Sequence, residues 1–242
     1  MPVLLLSRGV PEKTVAGARK CGFDVIILPA ADGMDAPVAS HPDMTLYAGF
    51  GRLFVRRAHM SDAAFSEAVS DALRAVPSLS LTVTDDLPSA CYPDDVKFNC
   101  FTLCGCLFGK LSAVSPHILA AAKAYGVMPV NVAQGYAKCS SCVFGDSAVI
   151  TSDTSIYCAV KAHGGDAYLI GGGNITLPGY GGGNDGFIGG ASFFAGGTLY
   201  FLGDVDFHPD CGIMKEAAAR HGAAVVSLSD ENLFDSGCLY LE

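Results

Sequence analysis

Residues 41–55 read HPDMTLYAGFGRLFV, and residues 92–109 read YPDDVKFNCFTLCGCLFG. Each opens on a ring side chain, Pro and Asp, then runs through an alternating stretch, a short turn with Gly, and a second apolar stretch. Alternation broken by a glycine turn is the signal of a β-hairpin. Working outward, paired runs of this kind fall at 44–56, 96–109, 137–151 and 187–203.

A helix follows each pair. Ser61 or Asp62 opens the first of these before Pro77 stops it, and Ser115 with Pro116 opens the next, which ends at Gly126. Asp153 to Gly164 and Asp210 to Gly222 bound the other two. Ser and Asp accept the orphan N–H groups of a first turn, and Gly takes the left-handed conformation past the last. A short β-type run closes each unit: LSLTVTD, VMPVNVA, DAYLIGG and AAVVSLSD. The unit is therefore strand, strand, helix, strand, written four times.

A fifth helix, with Pro11 in its first turn and Gly22 at its end, precedes FDVIILPA but has no hairpin before it. The chain ends supply two lone strands, VLLLS at 3–7 and GCLYLE at 237–242. Paired, they make the missing hairpin. The period is about 48 residues, in the range of repeat architectures. The expectation is an α/β fold: one domain over residues 1–242, a five-bladed pseudo-symmetric α/β-propeller of ββαβ units, its ring closed by pairing the N- and C-terminal strands. Closure hides the strand edges an open array leaves bare. The alternative is an ordinary mixed α/β sandwich with coincidental spacing.

Composition bounds the function. Of 242 residues, half are apolar and 16% are charged, which suits a large core and excludes disorder. The formal charge of −9 gives no basic stripe for nucleic acid and favours a small cationic molecule as partner. No apolar run is long enough to span a membrane, and MPVLLLSRG has too short an apolar run and no basic n-region for a secretion signal, so a cytoplasmic location is expected. Ten cysteines without a secretion signal read as free thiols. Cys139 and Cys142 form a C-x-x-C, but along a strand they would face opposite sides, so no metal and no cofactor is expected. The glycine-rich run 171–185 lacks the Lys-Ser/Thr of a phosphate loop and reads as a connection or lid.

The five-fold repeat, with YPDDVKFN, QGYAKCSSC, ITSD and GFIGGAS, resembles the pentein or guanidine-modifying-enzyme fold, and within it an uncharacterised bacterial family. Arginine deiminase, agmatine deiminase and dimethylarginine dimethylaminohydrolase share that fold. In those enzymes a late Cys attacks a guanidinium carbon, a His of the preceding blade moves protons, and carboxylates hold the cation. The resemblance implies Cys238 as nucleophile, facing an acidic cleft. It implies no base: GGGNDGFIGGASFF contains no His, and QGYAKCSSC carries Lys138 and Cys139 where a carboxylate is expected.

Asp43, Asp95 and Asn99 are the candidate ligand-binding residues of the first two blades, and Asn184 and Asp185 those of the fourth. A turn after proline is the competing explanation for Asp43 and Asp95. Asn99 has less structural reason to stand in an apolar strand. Three functions stay open: a Cys-dependent hydrolase or amidinotransferase on a guanidino or amidino compound, a non-catalytic binding protein on the same fold, and a metal or redox protein using the cysteines. Fold alone does not choose among them.

Overall fold

The computed structural model describes residues 2–180 and 186–242. The repeat appears as five three-stranded sheets of one topology among the described residues. Leu46–Gly49 runs antiparallel to Arg52–Arg56, which runs parallel to Ser80–Thr84, with Leu46 opposite Val55 and Arg52 opposite Ser80. Phe101–Leu103, Cys106–Gly109 and Met128–Asn131 repeat the pattern. So do Ser141–Phe144, Ala148–Thr151 and Asp166–Leu169. The fourth set is Ser192–Ala195, Thr198–Phe201 and Ala224–Ser227.

The fifth sheet joins the chain ends. Val3–Ser7 pairs antiparallel with Leu239–Leu241 and parallel with Asp24–Leu28. No ladder among the described residues links the five sheets into one; a separate two-stranded piece pairs Ile175–Thr176 with Leu233–Phe234.

Three hairpin turns explain their odd residues. Phe50 and Gly51, Cys104 and Gly105, and Gly196 and Gly197 all hold two successive positive φ angles. Two left-handed residues match the strand twist, and Gly takes that conformation without strain.

The long helix of each unit lies between its second and third strands. Ala63–Ala75 begins where Asp62 Oδ1 accepts the Phe65 N–H at 2.8 Å. Its buried face is Phe65, Ala68, Val69 and Ala72, the spacing of one helical stripe. It packs on Leu28, Leu53 and Val55. Truncating a buried Phe such as Phe65 costs about 3–5 kcal/mol. Ser115 and Asp153 cap Pro116–Ala124 and Thr154–Ala162 as expected.

Three expectations need correction. Pro11 is the N-cap of Glu12–Lys20, not a first-turn residue. Asp210 is the N-cap residue of Cys211–Arg220 as expected, but its side chain makes no cap hydrogen bond, and its Oδ2 accepts the Gly171 N–H at 2.6 Å instead. Cys139 lies before the strand Ser141–Phe144 rather than along it, so the face argument against a Cys139–Cys142 pair does not apply. No helix among the described residues is long and apolar enough to cross a membrane.

Candidate functional site

Residues from the segments preceding the first strands of the hairpins come into contact in the interior. Asp43 comes from the short helix Pro42–Thr45, Asp95 from the turn Asp94–Val96, and Asn99 from the residues just after it. Lys138 and Cys139 precede Ser141–Phe144, and Asp235 and Cys238 precede Leu239–Leu241.

Asp43 is buried, and two neighbours in the chain converge on one of its oxygens. Lys138 Nζ lies 3.1 Å from Oδ2, and the Cys139 thiol donates to the same oxygen at 3.1 Å. The ammonium also donates to the Cys238 and Gly189 carbonyls, at 2.6 and 2.8 Å. All three of its hydrogens are therefore used. Burial is the largest single influence and opposes that charge, but Asp43, Cys238 and Cys139 together outweigh it and the Lys138 pKa rises.

Asn99 clamps the arrangement from the side. Its Nδ2 donates to Cys139 Sγ at 2.9 Å and to the Asp43 carbonyl at 3.3 Å, and its Oδ1 accepts the Cys139 N–H at 3.1 Å. The Cys139 thiol is pushed well above the usual range, first by burial and then by Asp43 and Asp235.

Beside this cluster lies a cavity of about 340 Å³, lined by Cys139, three carboxylates (Asp35, Asp95, Asp235) and the rings of Tyr92, Tyr136, Tyr180 and Phe187. No Lys or Arg lines it among the described residues. Asp95 Oδ2 accepts from Tyr136 Oη at 2.6 Å, whereas Asp95 Oδ1 is buried with no hydrogen-bond partner among the described residues. Asp35 Oδ2 accepts from Tyr180 Oη at 2.7 Å.

Asp235 accepts the backbone N–H groups of Phe187 and Gly237, at 2.8 and 3.0 Å, with His41 Nδ1 3.8 Å away. Burial raises its pKa, His41 opposes the rise and Asp43 adds to it. Gly190 lets this carboxylate approach: a Cβ there would stand 1.8 Å from Asp235 Oδ1.

Arg56 braces the cleft from behind. It is wholly buried, donates to the Met44 and Asp95 carbonyls at 2.9 and 3.4 Å, and lies 4.5 Å over the Phe98 ring. Burial lowers its pKa to about 10, still charged at neutral pH.

The predicted residues divide. Asp95 lines the acidic cleft, and Asp43 and Asn99 form the cluster at its floor around Cys139. Cys238 lines a different cavity, of about 390 Å³, together with Asp43 and Lys138. Its thiol donates to the Ser192 carbonyl at 3.1 Å, and burial pushes its pKa up to about 11. Asn184 and Asp185 lie outside the described residues.

Sequence reasoning missed Asp35, Tyr136, Tyr180 and Asp235, all in loops. The one available signal was that Asp235 shares the DSGC stretch with Cys238. No His lines the cleft, and no three His, Cys, Asp or Glu residues are placed to hold a metal ion, both among the described residues.

A family model described as "Family of unknown function (DUF6873)" matches residues 5–240. No curated protein sequence matches the chain. Among solved structures, a dimethylarginine dimethylaminohydrolase in adduct with S-methyl-L-thiocitrulline superposes with a TM-score of 0.60 at 10% identity, covering 99% of both chains. The dimethylarginine dimethylaminohydrolase of Pseudomonas aeruginosa complexed with citrulline gives 0.59 at 10% identity, over 99% of this chain and 98% of that one. An agmatine deiminase of C. jejuni gives 0.55 at 8% identity, over 98% and 92%. At such identities the likeness is one of fold, and the fold is that of the guanidine-modifying enzymes, the penteins.

Proposed function

We propose that this chain, which belongs to that family of unknown function (DUF6873), binds a small organic cation with a guanidino or amidino head in the acidic cleft. We read its five sheets as blades around one axis, with the cleft at one end of that axis. The observation that carries the reading is Asp95 Oδ1, a buried carboxylate oxygen without a partner among the described residues, in a cavity with two further carboxylates. An unpaired buried acceptor costs about 1–3 kcal/mol, more when charged, and a ligand N–H removes that cost. A planar guanidinium offers paired N–H donors to carboxylates and stacks on aromatic faces, of which the cleft has four. The structural neighbours named for dimethylarginine and agmatine support the same ligand class.

Binding is favoured over turnover. A positioned base contributes roughly two to four orders of magnitude, and no imidazole lines the cleft among the described residues. The late thiol, Cys238, belongs to the other cavity and is held protonated. One observation favours the second reading, a Cys-dependent hydrolase or amidinotransferase: Cys139 lines the cleft with its thiol on a carboxylate.

The test is a panel of guanidino and amidino compounds scored for thermal stabilisation and for release of ammonia or amine. Stabilisation without release is expected. Release that disappears in Cys139→Ser or Cys238→Ala would make the protein an enzyme and name its thiol. No stabilisation by any member would overturn the reading.

A further inference from the structure

Two tyrosines reach across one side of the acidic cleft in opposite directions. Tyr136, in the segment before Ser141–Phe144, donates to Asp95 Oδ2 of the second unit at 2.6 Å. Tyr92, shortly before Asp95 in the chain, reaches back and lays its ring on Gly135, the residue beside Tyr136. Both rings line the cleft, with centroids 5.8 Å apart.

That contact explains the glycine. Gly135 is not among the left-handed glycines, so its backbone conformation does not call for one. A Cβ there would stand 2.9 Å from Tyr92 Oη and 3.0 Å from Cζ, and nearer still to Cε2. The three nearest atoms such a Cβ would meet all belong to Tyr92. Tyr92 is itself half exposed, with Lys110 Nζ 5.2 Å over its ring. A half-exposed ring can swing into solvent when its seat is filled, so a methyl group at residue 135 moves the ring before it moves the backbone.

We infer that Gly135 is a positioning residue of the acidic cleft. Its bare Cα seats the Tyr92 ring as a wall of the space that Asp95 also lines, where the ring screens a bound cation from water and offers it a π face. The inference rests on the reading of that cleft as a cation site.

Agmatine is titrated by calorimetry into the wild type, Gly135→Ala, Tyr92→Ala and the double variant, and ligand-free Gly135→Ala is crystallised. Each single variant should weaken agmatine by about 2- to 5-fold, the worth of one half-exposed ring to a cation. The double variant should bind as Tyr92→Ala does, because a seat has no effect without its ring. The crystal should show the Tyr92 ring swung away from residue 135 with the Tyr136–Asp95 hydrogen bond kept, which separates loss of the ring from a general disturbance of the backbone. Wild-type affinity in Gly135→Ala, additive losses in the double variant, or a ring still seated beside a displaced Tyr136 would each overturn this inference alone. No agmatine binding to the wild type would overturn the cation reading, and this inference with it, before any variant is compared.

Discussion

Lys138 Nζ and Asp43 Oδ2 lie 3.1 Å apart in the interior; both residues line the cavity of Cys238, while Cys139, whose thiol donates to the same oxygen, lines the chemically different acidic cleft. Lys138 faces the cavity of Cys238, whereas the next residue, Cys139, faces the acidic cleft. On the Lys138 side the protein supplies its own cation and the walls are neutral. On the Cys139 side three carboxylates have no cationic side chain among the residues that line the cleft with them.

The ion pair should be strongly coupled. Removing one partner leaves a desolvated charge, so Lys138→Met should cost about 3–5 kcal/mol in urea unfolding. Adding Asp43→Asn should recover a large part of the loss, because the stranded carboxylate is gone. Additive losses in the double variant would show the pair to be uncoupled.

Stability should fall below neutral pH through His59. Its ring is buried, neither nitrogen has a partner among the described residues, and burial followed by the nearby Arg56 charge lowers its pKa from 6.5 to about 4. The folded state therefore binds the proton less readily than the unfolded chain. The stability is fully present above pH 6.5 and is lost as pH falls toward and through about 4. The whole window amounts to about 3 kcal/mol. His59→Phe should flatten this slope in denaturation curves between those pH values. Buried His208, also shifted downward by desolvation, should leave a smaller slope behind.

Alkylation should sort the cysteines by exposure. Cys21, Cys91 and Cys158 are exposed and should react with iodoacetamide first. Cys238 is buried with a pKa near 11, so little thiolate exists at pH 8 and its labelling should lag far behind. Mass mapping of labelled peptides over time gives the order, and early labelling of Cys238 would show an open, activated thiol.

Cation binding should be linked to proton release. Burial raises the Asp235 pKa, so in the empty cleft this carboxyl takes up a proton at higher pH than an ordinary aspartate. A bound cation favours its ionised form and expels that proton. Affinity should therefore fall as pH drops through the Asp235 pKa, and calorimetry in buffers of different ionisation enthalpy should register the released proton. In Asp235→Asn the pH dependence should disappear together with most of the binding.

The repeat was legible because its punctuation is local. Caps at Asp62, Ser115 and Asp153 and left-handed glycines at 51, 105 and 197 act within a few residues of themselves, so four hairpins and five helices could be placed from the sequence. The pairing of Val3–Ser7 with Leu239–Leu241 followed from counting units.

The site was only partly legible. Asn99 stood out as a polar residue in an apolar run, and it does clamp Cys139. Asp235 and Cys238 are three residues apart, yet they line different cavities, with Gly237 at φ 54° between them. Which of the two faces the cleft depends on that one backbone conformation, and spacing carries no trace of it. Tyr136 and Asp35 reach the cleft from loops whose course is set by packing between units rather than by local pattern.

The central claim is that the acidic cleft holds a guanidino cation through Asp95. The most direct measurement is a calorimetric titration of agmatine, with citrulline as the neutral ureido counterpart, into the wild-type protein and into Asp95→Asn. The account predicts binding of agmatine to the wild type, at least tenfold weaker binding to Asp95→Asn, and no binding of citrulline in the cleft. Equal agmatine affinity in the two proteins, or none in either, would contradict it.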